Sequence, residues 1–330
     1  MNAHEYKLIQ QIFTMSEESL LRTLPKVLRK FYKKENLRYS DQFIYAQGLI
    51  PITLVAHLDT VHKRLPQPLF HDPKEKVLFS PNGLGADDRA GVFAILSLLE
   101  KGYLPSIIFC AQEERGGIGA ISFTKKFSKP ATPTNFLIEL DRQGYTDSVY
   151  YDLNNPKFEE YINQYGFHTE FGTFSDISII APAWKLPAVN LSIGYFNEHT
   201  LGEYLKYEFM FETISKVEKI LDAETNANHT FEYIEDTAYR WNSFVSIAKD
   251  NVNYCRCSSC NDTYPEEIML PVKEYDYTFF ICPNCINDNV SWCSKCGEPF
   301  LNEPDNPRTL CHNCKEELRD ELNGKTKCSD

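Results

Sequence analysis

Over the first thirty residues the apolar positions recur at helical spacing. Leu8, Ile9, Ile12 and Phe13 share one face, and Leu20, Leu21, Leu24, Val27 and Leu28 continue it beyond a capping residue at Ser16. Two helices are predicted there. From residue 50 the pattern becomes short, unbroken apolar runs at 52–56, 106–111, 135–140 and 189–193, rich in β-branched and large apolar residues without polar alternation, as in buried strands. Between the first two runs, residues 88–99 read as a helix with Val92, Ile95, Leu96 and Leu99 on one face and Gly102 just past its end. Residues 209–221 read as a closing helix. Strands alternating with helices predict an α/β fold, a mostly parallel mixed sheet sandwiched by helices. Three segments are expected: a main domain over 1–222, a polar linker or peripheral helix over 223–250, and a small cysteine-rich domain over 251–330.

Composition narrows the partners. With 330 residues, 42% apolar, the chain can bury a sizeable core. Its formal net charge of -12 repels nucleic-acid phosphates and anionic membrane surfaces, and the longest basic run, from Lys26 to Lys34, fits the solvated face of a helix. The start of the chain lacks a secretory pattern, and nowhere do about eighteen apolar residues run together. A soluble, cytoplasmic protein with no nucleic-acid and no membrane partner is expected. Ten of the eleven cysteines fall between Cys255 and Cys328, mostly as C-x-x-C pairs, which suits zinc in a reducing compartment better than disulfides.

The polar residues that matter sit where the apolar runs end. In an open α/β sheet ligands bind just outside the carboxyl ends of the strands. His57-Leu58-Asp59 follows the first run, Glu113-Glu114 the second, Asp141-Arg142 the third and Glu198-His199-Thr200 the fourth. So many carboxylates at one edge resist joint ionisation unless cations neutralise them. Imidazole with carboxylate donors favours zinc, and manganese or cobalt fits the same set. Arg142 and Gln143 could meet a substrate carboxylate or carbonyl, with an Arg142–Asp147 ion pair as the alternative. His62, His71 and His168 are expected at the surface, and Cys110 as a small buried residue.

Taken in order, His57-Leu58-Asp59, Gly85-Ala86-Asp87-Asp88-Arg89-Ala90-Gly91, Glu113-Glu114, Leu140-Asp141 and Glu198-His199-Thr200 resemble the five metal-site motifs of the co-catalytic dizinc exopeptidases, the group of peptidase T, glutamate carboxypeptidase and the dizinc aminopeptidases. The resemblance spans roughly residues 50 to 205 and implies two catalytic zinc ions. It gives His57 and Asp141 to one ion, His199 and Glu114 to the other, and Asp87 to both. Asp59 would then fix the tautomer of the His57 ring, and Glu113, left free of metal, would be the general base. Asp88 would cap the helix that follows. Thr173, Ser175 and Asp176 resemble a Ser-Asp segment that precedes the last histidine in several aminopeptidases, where it lines the substrate pocket or caps a helix. The carboxypeptidase-like members insert a lid of about a hundred residues between the equivalents of Asp141 and His199. Here only 57 residues separate them, so a lidless catalytic unit is expected.

In the tail, Cys257, Cys260, Cys282 and Cys285 form one candidate structural zinc site, and Cys293, Cys296, Cys311 and Cys314 a second, giving two zinc ribbons if the pairs combine sequentially. An interleaved arrangement fits the short Cys285–Cys293 spacing poorly, Cys255 could replace Cys257, and Cys328 is spare. Residues 251–330 hold eight Lys or Arg against fourteen Asp or Glu, which favours a protein partner or plain structural support over nucleic acid. The leading expectation is an intracellular aminopeptidase acting on short peptides. A deacylase of a small N-acyl metabolite would use the same groups. An adaptor with a vestigial hydrolase core is the reading from another class.

Overall fold

The computed structural model describes residues 1–151, 153, 155–172, 174–234, 254–260, 263–265, 269–274, 277–282, 285–302 and 309–322. Thr173, Cys328 and the 235–250 part of the expected linker lie outside the described residues. The chain divides into two compact units, Met1–Thr237 and Ala238–Asp330.

The first unit opens with the two expected helices. α1 (Ala3–Phe13) is capped by Asn2, whose side chain accepts from the Glu5 N–H while the Glu5 carboxylate accepts from the Asn2 N–H. α2 (Glu17–Leu28) starts at Ser16, whose hydroxyl oxygen accepts from the Ser19 N–H. The strands β1 (Leu37–Tyr39), β2 (Phe43–Ala46), β3 (Ile50–His57), β4 (Phe70–Asp72) and β5 (Val77–Phe79) lead to α3 (Ala86–Glu100) and β6 (Pro105–Cys110). Next come α4 (Ile118–Lys126), β7 (Phe136–Arg142), β8 (Asp147–Val149), α5 (Pro156–Asn163), β9 (His168–Thr169), α6 (Ile177–Trp184), β10 (Ala188–Ser192), β11 (Tyr195–Phe196), β12 (Tyr204–Lys206) and α7 (Tyr207–Ala227).

The main sheet has the order β1-β2-β6-β3-β7-β10-β8-β9. Its four central strands, β6, β3, β7 and β10, are parallel, and β2 and β8 flank them antiparallel. The apolar runs read from the sequence form these central strands, and every residue of β6 and β10 is buried. α3 and α7 pack on each other and on the sheet, with α1 against α3, while α4 and α6 form a second helical pair against the sheet. The α/β sandwich is as expected. From β3 the chain passes through α3 to β6 on one side, then through α4 to β7 on the other. The carboxyl end of β3 therefore lies where the connections diverge, the place at which an open sheet leaves a crevice. A small antiparallel sheet, β11-β12-β5-β4, brings the 195–206 and 70–79 segments together. The 57 residues between Asp141 and His199 make β8, α5, β9, α6, β10 and β11, so the described residues contain no separate lid.

The second unit is built from short hairpins, Tyr254–Arg256 with Thr263–Pro265, Leu270–Glu274 with Tyr277–Ile281, and Val290–Trp292 with Pro299–Leu301, followed by the helix His312–Leu322. Its buried residues fall into two small clusters, each containing cysteines. Among the described residues, no helix is long and apolar enough to cross a membrane.

Candidate active site and metal centres

The five separated motifs converge at the carboxyl edge of the central strands. His57, the last residue of β3, is fully buried, and its Nε2 lies 2.9 Å from Asp87 Oδ1 and 3.4 Å from Asp141 Oδ1. Asp87 turns its other oxygen to His199, Oδ2 to Nε2 3.2 Å, and His199 Nε2 lies 3.1 Å from Glu114 Oε1. Three donor groups result, His57-Asp87-Asp141, Asp87-Glu114-His199 and His57-Glu113-Glu114, the ligand atoms of each within 4.8 Å of one another and Asp87 common to the first two.

Local structure explains how each donor arrives. Asp87 and Asp88 have non-helical backbone angles inside the start of α3, so regular helix begins only after them. Asp88, fully buried, accepts from the Gly91 N–H at 2.9 Å and from the His57 N–H at 3.2 Å. It caps α3, as expected, and ties that cap to the end of β3. Gly91 is required here, since a Cβ would lie 2.4 Å from the Leu140 carbonyl oxygen and 2.5 Å from Asp88 Oδ1. Asp59 Oδ1 lies 3.4 Å from His57 Nδ1, and its two oxygens accept the N–H groups of Glu113 (2.9 Å) and Glu114 (3.2 Å). One carboxylate thus orients both glutamates and flanks the far side of the imidazole.

Burial and charge set the protonation. Burial, which would lower the His57 pKa, is outweighed by the Asp141, Asp59 and Asp87 carboxylates, which hold it well above an ordinary imidazole. The Asp87 and Glu114 carboxylates beside its Nε2 outweigh burial and raise His199 to about 11. Burial also raises Asp141 to about 7 and Glu113 to about 9, in each case over the lowering effect of His57. Asp87 is held below the usual carboxylate range: the two histidines more than offset its burial.

The residues fit a pair of divalent cations. Buried carboxylates that retain protons and imidazoles that gain them mark a cluster lacking compensating positive charge. Glu114 Oε1, buried, approaches His199 without the alignment of a hydrogen bond, and buried His57 Nδ1 likewise makes none. The donor types are those of zinc, manganese or cobalt sites.

Several supporting residues carried no motif. Glu203, on the approach to β12, is buried and accepts from the Gly85 N–H (2.7 Å) and the Asp87 N–H (3.0 Å), while His62 Nε2 lies 2.7 Å from its Oε2. Asn190 accepts from the Asp141 N–H and donates to the Asp141 carbonyl, both at 2.9 Å. The Tyr195 hydroxyl donates to Asp141 Oδ1 at 3.2 Å. A lone asparagine in the apolar run 189–193 was the one visible sign of these. The expectation of three surface histidines holds only for His168, which is exposed. The His62 side chain is 7% exposed and held by Glu203, and His71 is half-buried, stacked on Tyr6 and 3.3 Å from the Tyr207 hydroxyl. Arg142 pairs with Asp147 at 3.5 Å. Ser175 donates to Glu139, a fully buried carboxyl two residues before Asp141, and Asp176 is fully buried at the start of α6, where burial raises it to about 7. Cys110 is fully buried, as expected.

In the second unit, the sulfurs of Cys257, Cys260, Cys282 and Cys285 gather within 4.8 Å, as do those of Cys293, Cys296, Cys311 and Cys314. The pairs combine sequentially. The Cys282 N–H donates to Cys257 Sγ at 3.3 Å, and backbone donors outweigh burial to hold Cys257 and Cys293 down to about 6. Four cysteine sulfurs gathered in this way suit closed tetrahedral zinc.

No protein-family model and no curated protein matches the chain. Among solved structures it is similar to aminopeptidase PepT of Bacillus cereus ATCC 10987, at 15% identity and TM-score 0.50 over 67% of this chain and 98% of that one. It is also similar to an aminopeptidase of the archaeon Desulfurococcus kamchatkensis, at 14% and 0.50 over 66% and 94%. A TET aminopeptidase of a marine-sediment Thaumarchaeota archaeon gives 11% and 0.50 over 66% and 96%. The likeness is one of fold, and it extends over nearly the whole of each of these chains.

Proposed function

We propose that the first unit is a metal-dependent aminopeptidase acting on short peptides, with His57, Asp87 and Asp141 holding one divalent ion and Asp87, Glu114 and His199 the other. The observation that carries this reading is the pair of donor groups sharing Asp87 at the end of β3. The fold likeness to solved aminopeptidases supports it. When bound, the ions supply electrophilic assistance to the scissile carbonyl and lower the pKa of the attacking water.

The chain's own residues do the rest. Glu113 is nearly buried, its backbone N–H is pinned by Asp59, and burial makes its carboxylate a stronger base than an exposed one. Such a group takes the proton of the attacking water and passes it to the leaving amine. Asp87 and Asp141 are fixed by backbone donors, from Asp87 to Glu203 and from Asp141 to Asn190, so the donor set is organised before substrate arrives. The cysteine clusters are proposed as two structural zinc sites that hold the second unit together.

Glu113→Gln is expected to keep full metal content while turnover of free-amine peptides falls at least about a hundredfold. No turnover by either the parent chain or the variant points to an adaptor, and turnover confined to N-blocked substrates points to a deacylase. Cys257→Ser and Cys293→Ser are each expected to lose about one zinc per chain without changing peptidase activity, read by elemental analysis.

A further inference from the structure

A cleft of about 510 Å³ opens beside His199 and is walled by the β3–β4 connection, with Val61, His62, Lys63 and Arg64, and by Asn82 on the turn that precedes α3. That volume lies in the range of small-molecule sites. Its walls carry two cationic side chains and no Asp or Glu, in a chain whose net charge is -12. Lys63 and Arg64 are exposed and, among the described residues, neither has a carboxylate partner.

The wall is preformed. His62 is clamped by the buried carboxylate of Glu203, 2.7 Å from its Nε2, and its ring lies against Gly83, where a Cβ would come within 2.2 Å of Nδ1. A larger residue at 83 would displace the ring. The Asn82 side chain donates to the Gln67 carbonyl at 2.7 Å, closing the connection onto the turn. Glu203 spends its oxygens on His62, Gly85 and Asp87, so its charge is satisfied beneath the floor rather than presented to the cleft. The same carboxylate anchors the Asp87 turn, and His199 lines both the cleft and the donor cluster. A group seated in the cleft would thus lie next to the place where the amide is cut.

We propose that this cleft binds a carboxylate of the substrate through Lys63 and Arg64, which makes carboxylate-bearing peptides the preferred class. The inference rests on the aminopeptidase reading of the neighbouring site. Guanidinium and ammonium donors paired with carboxylate give charge-assisted hydrogen bonds. The carboxylate is either the free C-terminus of a short peptide or an acidic side chain, and the two call for different probes.

Calorimetric binding of Ala-Ala-Ala, Ala-Ala-Ala amide and Glu-Ala-Ala amide is measured on the full chain carrying Glu113→Gln, with and without Lys63→Ala/Arg64→Ala. Both substituted cations are exposed, and an unchanged melting temperature confirms the fold. At least one carboxylate-bearing peptide is expected to bind about tenfold more tightly than the carboxylate-free Ala-Ala-Ala amide, an advantage lost in the double variant and weakened by salt. Whichever peptide shows the advantage identifies the source of the carboxylate. Equal binding of all three peptides, no binding of any, or an advantage that survives the double substitution overturns the proposal. Hydrolysis of Ala-Ala-Ala amide with Glu113 intact is scored separately. Cleavage without a charge preference removes the cleft and leaves the peptidase, whereas a charge preference without cleavage removes the peptidase and leaves the cleft.

Discussion

Glu203 shows how much one residue without a motif can hold. Its carboxylate accepts two backbone N–H groups from the turn that carries Asp87 and engages His62 from the cleft wall. Glu203→Ala leaves buried donors without acceptors, at about 1–3 kcal/mol each. A total loss of about 3 kcal/mol of stability and a weakening of metal affinity by about 10- to 100-fold are expected, read by chemical unfolding and metal titration. Glu203→Gln, which retains one oxygen acceptor, should recover part of both. The proposed metal donors were legible because His57, Glu114, Asp141 and His199 fall at or just past the ends of apolar runs, and Asp87 at the start of a helix, in ordered motifs. Glu203 was not: a single acid in a Thr-Leu-Gly-Glu loop looks like any solvated residue, and only the fold shows that it is buried. His62 was misjudged for the same reason, since its partner lies 141 residues away in the chain.

At the level of elements, the long ones could be read directly. Ser16 caps α2, the four apolar runs are the central parallel strands, and the closing helix runs over Tyr207–Ala227 around the expected 209–221. The strands of the small sheet have two or three residues each and β1 and β2 three and four, too short to establish a period, so they left no pattern to read. The attachment of α1 and α2 was equally hidden. Arg89, inside α3 and 2% exposed, donates to the carbonyls of Leu58, Ile12 and Met15, which ties the N-terminal helices to the end of β3. Burial lowers its pKa to about 10, so it stays charged at neutral pH. Arg89→Met removes three donor contacts at once and is expected to cost about 3 kcal/mol. Hydrogen exchange should localise the loss, with amides of α1 and α2 losing protection before those of β3 and β7. Equal loss throughout the first unit would mean that the helices are held by packing alone.

For the molecule as a whole, the donor cluster is expected to make stability depend jointly on pH and metal. Without metal, Glu113 and Asp141 keep their protons to about pH 9 and 7 in the folded chain, against ordinary values of 4.5 and 3.8, and His199 keeps its own to about 11 against 6.5. All three are raised on folding, so the folded state binds more protons than the unfolded one. The stability they contribute is complete below the unfolded values and is lost as pH climbs through the folded ones. Asp59 and Asp87, held low, act in the opposite sense, but their window lies below about pH 4. The chelated protein should therefore lose stability steadily from about pH 5 to about pH 9. Metal binding requires deprotonated donors, so affinity strengthens over the same interval and the difference between loaded and chelated protein should widen with pH. Hydrogen exchange at the β3 and β7 amides reads the first unit apart from the thiol clusters of the second, whose proposed zinc a chelator would also remove. A chelated protein whose protection rises from pH 5 to 9, or a metal effect that stays constant across it, would mean that these side chains do not share one desolvated site.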